Sequence, residues 1–154
     1  MGRQLERYRN KNYHYGLQVF FIAFITACAL IIPFIIFDGG VFYYYGDFNV
    51  QEIPFYQMIH DAVKSGNFGW NTTTDLGSDL ISSYSFYLLG SPFFWATIPF
   101  PSEAVPYLIG PLIILKLSFC SLSAYIYLKR HVRHRQFAVI GGLLYAFSGF
   151  SVYN

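Results

Sequence analysis

Residues 16–37 read GLQVFFIAFITACALIIPFIIF, from Gly16 to Phe37, with no charged side chain. At about 1.5 Å per residue a helix of this length reaches ~33 Å, enough to cross a hydrocarbon core of ~30 Å. Inside lipid every backbone N–H and C=O has to be paired within the structure, which a helix does by itself. The stretch therefore decides the class: an all-α membrane protein. A secretory signal also has a basic start and an apolar run, but its apolar part is shorter. The flank Phe37-Asp38-Gly39-Gly40 also lacks a small-x-small cleavage pattern. Pro33 is expected to kink the last turns, which neighbouring helices can accommodate.

Outward from this span the composition agrees. Of 154 residues, 55% are hydrophobic and only 12% are charged, against roughly 25% charged in an ordinary soluble domain. Aromatic residues make up 21%, and Tyr and Trp gather at membrane interfaces. A net charge of +2 excludes little, but its distribution is informative. Arg3, Arg7, Arg9 and Lys11 crowd the arm 1–15, and Lys129, Arg130, Arg133 and Arg135 crowd the loop 129–136. Between them, residues 38–103 carry seven of the eight acids and a single base, Lys64.

A second apolar span occupies residues 104–128 and a third occupies 137–154. Excess Lys and Arg mark cytoplasmic loops, so both basic clusters are expected inside and residues 38–103 outside. The arm is expected to lie along the anionic inner leaflet, and four bases beside a span read as a topology signal rather than a nucleic-acid site. The third span is still apolar at Ser151-Val152-Tyr153-Asn154, which reads as the N-terminal portion of a longer multi-pass protein. Cys28 and Cys120 fall inside spans and read as small packing residues.

Within the outer segment, Val50, Ile53, Met58, Ile59, Ala62 and Val63 recur at near-helical spacing. They predict an amphipathic helix over Val50–Lys64, with Gln51, Glu52, Gln57, His60 and Asp61 on its polar side and Ser65-Gly66 as its stop. Too short to span, it is expected in the interface plane. Residues 67–77 read as irregular with Trp70 as an anchor, and Asn71-Thr72-Thr73 matches an N-glycosylation acceptor. Further short helices are predicted over Ser78–Leu89 and from Pro92 to Ile98. Ser102 is expected to cap the second span with Glu103 in its first turn.

The chemistry this segment can support is narrow. It has no phosphate-cradling glycine loop and no nucleophile elbow. His60-Asp61 with Asp75 or Asp79 offers oxygen and nitrogen ligands for a divalent cation, though solvated loop acids look the same; no metal site is assigned. A carboxylate held near the membrane can act as a general base on a hydroxyl. Asp47 fits best: it follows Gly46 and has Tyr43, Tyr44, Tyr45 and Phe48 as neighbours. The plainer reading is a turn Asp capping the following helix. Lys116 lies mid-way along the second span, where an ionisable group costs about 2.5–3.5 kcal/mol on insertion scales. It either meets an anionic lipid phosphate, or snorkels or pairs structurally.

The order Gly46-Asp47, Gln51, Pro54-Phe55, Gly66, Trp70-Asn71, Leu76-Gly77-Ser78-Asp79 and Tyr87-Leu88-Leu89-Gly90-Ser91-Pro92-Phe93 resembles the first outer loop of the bacterial YfhO-like membrane proteins. Leu115-Lys116-Leu117 and Tyr145-Ala146-Phe147-Ser148-Gly149-Phe150 extend the likeness into the next helices. That family resembles the GT-C class of polytopic glycosyltransferases. The resemblance implies sugar transfer from a polyprenyl-phosphate donor to a cell-envelope polymer or lipid acceptor, outside the cell membrane. It maps the acidic residue of the first outer loop onto Asp47. On that reading Gln51, Trp70 and Asp79 are expected to shape the sugar site and Lys116 to face the lipid phosphate. It also implies about a dozen helices, so the fragment alone is expected to lack part of the site. The competing reading is a non-enzymatic transporter subunit or envelope assembly factor that docks through the same loop.

Overall fold

The computed structural model describes residues 2–43, 48–72, 77–149 and 151, with side chains for 14–43, 50–72, 77–85, 88–149 and 151. It is helical almost throughout. α1 covers Gly2–Phe37, α2 Ile53–Ser65, α3 Leu80–Leu88, α4 Pro92–Trp95, α5 Val105–Leu128 and α6 Arg135–Ala146. Two two-residue strands, β1 (Trp70–Asn71) and β2 (Ser78–Asp79), pair antiparallel. Among the described residues two stretches are long and apolar enough to cross a membrane, His14–Phe37 and Ser102–Leu128.

The chain forms two compact units, Met1–Pro33 with Ile113–Asn154, and Phe34–Leu112. The divisions fall immediately after Pro33 in α1 and one residue past Pro111 in α5. A proline has no N–H to continue the helical ladder, so each long helix is weakest near these points.

In the first unit α1 buries Val19, Ala23, Ala27 and Ile31, one residue per turn. Its other sides show Phe21, Ile22, Ile25, Leu30 and Ile32 to the surroundings. A helix apolar on every side, with most of that surface uncovered, is suited to lipid rather than water. Val19, Tyr125 and Ala138 form the buried centre, with Tyr15, Leu122, Leu128, Val132, Val139 and Leu143 packed around them. α5 and α6 meet through glycine: a Cβ on Gly142 would fall 2.7 Å from the Ser121 carbonyl oxygen. The small residues at 141–142 allow close approach, whereas Gly149 has nothing within 4 Å.

The second unit holds the polar segment. α2 ends at Gly66, whose φ of 71° is left-handed, with Asn67 N–H donating to the Ala62 carbonyl at 3.0 Å. This is the stop expected from Ser65-Gly66. The beginning differs from expectation: Phe48–Glu52 is a π-helical turn, α2 proper begins at Ile53 beside Pro54, and Val50 is 75% exposed. Pro54 explains the boundary, because proline favours the first turn of a helix and disfavours helix before it. Residues 78 and 79 are likewise not helical but pair with Trp70 and Asn71, so the stretch read as irregular contains a short ladder. α4 is a single turn, and a 3-10 turn at Ser102–Ala104 leads into α5.

One prediction fails in an instructive way. His60 was expected on the polar side of α2, and it is fully buried. The buried stripe is Ile53, Tyr56, Ile59 and His60, and the partner it packs on is not apolar throughout. The segment after α4 offers backbone carbonyls, and a buried carbonyl needs a donor.

Candidate functional site

α2 supplies those donors at turn-by-turn spacing. His60 Nε2 lies 3.1 Å from the Thr97 carbonyl oxygen, Gln57 Nε2 donates to the Ser102 carbonyl at 3.3 Å, and Lys64 Nζ donates to the Phe100 carbonyl. Positions 57, 60 and 64 share one helical face, so a single helix holds the whole connector 97–102. With Nε2–H facing Thr97, His60 Nδ1 is a buried acceptor with no hydrogen-bond partner among the described residues. The aromatic packing around it is dense: Tyr56 and Phe94 rings lie 5.3 Å apart, and Phe94 meets the edge of His60 at 6.5 Å. Burial pushes the Tyr56 hydroxyl up from its usual pKa, and the nearby Thr97 side chain opposes this. The Thr97 hydroxyl itself donates to the Phe94 carbonyl at 2.6 Å, and Tyr56 completes no hydrogen bond of good geometry.

Beside this framework two of the sequence-derived site residues meet. Trp70 and Asp79 are cross-strand partners in the β1–β2 ladder, and the Gly69 carbonyl accepts from Leu80 N–H at 3.2 Å to extend it. Gly77, at φ 105°, makes room for the indole: a Cβ there would fall 2.8 Å from Trp70 Nε1. Trp70 remains 65% exposed, presenting an aromatic face. Asp79 also caps α3, its Oδ2 accepting from Ser82 N–H at 2.9 Å. That backbone bond, with the Ser82 hydroxyl, holds the Asp79 carboxyl below the usual range.

The remaining residues are dispersed or undescribed. Gln51 is exposed on the π-helical turn before α2. Lys116 is exposed on α5 and belongs to the other unit. Asp47 lies outside the described residues, as does Asp75. Among the described residues no three His, Cys, Asp or Glu side chains gather to hold a metal. His60, read beside Asp61 as a possible ligand, is turned into the core, while Asp61 is exposed. Sequence reasoning missed the carbonyl-holding face of α2. The signal was present: Gln57, His60 and Lys64 share spacing with the apolar stripe rather than opposing it.

Comparison with known families supplies the decisive observation. The family model described as bacterial membrane protein YfhO matches residues 18–154. The chain belongs to the YfhO family. The match includes both candidate spans except for the first residues of α1, together with the whole polar segment between them. No curated protein and no solved structure matches. This YfhO-family chain is thus a membrane protein whose largest polar region is built as a compact unit on the ends of two apolar helices.

Proposed function

We propose that this YfhO-family protein contributes to a membrane glycosyltransferase of the GT-C type. It would move a sugar from a polyprenyl-phosphate donor to a cell-envelope polymer or lipid acceptor on the outer face of the membrane. Support comes from one observation above all: the acid-rich segment between the two spans is a folded unit with Trp70 and Asp79 side by side. An exposed aromatic face next to a carboxylate suits a sugar ring, whose C–H face stacks while its hydroxyls donate.

In this reading the acceptor hydroxyl attacks the anomeric carbon and the bond from that carbon to the phosphate oxygen breaks. Asp47 takes the hydroxyl proton, and polyprenyl phosphate leaves with the bonding electrons. Gln51, Trp70 and Asp79 hold the sugar. Lys116 balances phosphate charge. The basic arm and basic loop are cytoplasmic, and residues 38–103 face outward.

The test is transfer of radiolabelled sugar from a polyprenyl-phosphate donor in vesicles that contain the protein with all helices its gene encodes. Transfer above empty vesicles, lowered about tenfold or more by Trp70→Ala with the chain still folded, is expected. Absence of transfer with every polyprenyl-phosphate sugar tried would remove the reading.

A further inference from the structure

The first unit contains a groove that sugar transfer does not use. Cys120, Ser123, Ala124, Tyr127 and Leu128 of α5 and Tyr145 of α6 enclose about 580 Å³ of open-sided space. Its walls are methyl, methylene and ring carbon with little polar surface. The groove follows about 12 Å of α5, from Cys120 to Leu128. Leu128 is also where the candidate span ends, so this end of the groove falls at headgroup level.

Just past Leu128 the chain turns through Lys129, Arg130, His131 and Arg133. Arg130, His131 and Arg133 are exposed, and Lys129 Nζ lies over the Tyr125 ring, 5.6 Å from its centroid. The Tyr127 ring, part of the groove wall, packs on His131 with centroids 4.8 Å apart, joining apolar wall to basic turn. Residues 104–154 contain no carboxylate at all.

We propose that the groove and the basic turn together bind one anionic phospholipid, with an acyl chain along α5 and the phosphodiester on Arg130 and Arg133. The charge of the turn favours this occupant over another apolar helix, which would fill the groove and leave the arginines without an anion. Guanidinium groups match phosphate oxygens in pairs, and anionic leaflets concentrate such lipids at basic turns. The inference is independent of sugar transfer.

The experiment is native mass spectrometry of the whole protein released from nanodiscs of equal phosphatidylcholine and phosphatidylglycerol. One phosphatidylglycerol should be retained in roughly tenfold preference. Arg130→Gln with Arg133→Gln should abolish the preference, and Ala124→Trp, which fills the groove, should lower retention of both lipids. Circular dichroism confirms that each variant keeps its helices. Equal retention of the two lipids by the parent would overturn the proposal. So would unchanged preference in the arginine variant or unchanged retention with Ala124→Trp.

Discussion

His60 Nε2 lies 3.1 Å from the carbonyl oxygen of Thr97, with the imidazole fully buried. The short helix that sequence reading makes amphipathic is built into a folded unit, gripping the connector that leads into α5. His60→Ala empties a packed volume and strips Thr97 of its donor, a loss expected at about 2–4 kcal/mol. Gln57→Ala, at a partly buried site, should cost about 0.5–1.5 kcal/mol. Thermal unfolding in detergent ranks the two, and the reverse order would show that His60 does not organise the unit.

The contact between α5 and α6 gives a second ranking. Gly142 faces the Ser121 backbone, which cannot move aside, whereas a Cβ on Gly141 would fall 2.7 Å from Cδ1 at the end of the Leu128 side chain. Gly142→Ala should destabilise by about 1–3 kcal/mol and Gly141→Ala by less, since Leu128 can change rotamer. Melting of the two variants in one detergent tests this. Equal stability would mean the helices are further apart than described.

Asp79 makes a pH prediction. Its folded pKa is lowered by the Ser82 N–H, so the cap contributes stability above the ordinary carboxylate range. That contribution is lost as pH falls through the lower, folded-state value. Hydrogen exchange of α3 amides should therefore quicken in acid, relative to the pH trend of exchange itself. Asp79→Asn, which caps about as well, should remove the acid step while keeping α3 protected at neutral pH.

Topology rests on charge asymmetry and is open to direct labelling. With Cys28 and Cys120 replaced by Ser, a membrane-impermeant thiol reagent on intact cells should modify Thr72→Cys and spare His131→Cys. Both positions are exposed, so access depends on the side of the membrane. The opposite pattern would invert the orientation.

How much of this was legible in the sequence depends on the range of the interaction involved. The spans were readable because lipid imposes length and apolarity on contiguous residues, as in Gly16–Phe37. The stop at Gly66 and the break around Gly90-Ser91-Pro92 were readable because their causes are local. The start of α2 was misplaced by three residues because apolar Val50 fits the periodicity but faces outward. The spacing of His60 with the apolar stripe hints at its burial, but its partner, a Thr97 carbonyl 37 positions away, was illegible. The pairing of Trp70 with Asp79 was hidden for the same reason, although both were singled out for their chemistry.

The central claim is that the polar unit carries a catalytic carboxylate, and Asp47→Asn addresses it most directly. Asn keeps the size and most of the hydrogen bonding, caps a helix nearly as well, and cannot accept the proton. Sugar transfer from a polyprenyl-phosphate donor should fall about 10²- to 10⁴-fold, with expression and melting unchanged. Asp75→Asn, a control acid in the same segment, should transfer at close to the parental rate. Near-parental transfer by Asp47→Asn would contradict the account, leaving Asp47 as a turn residue and the base elsewhere.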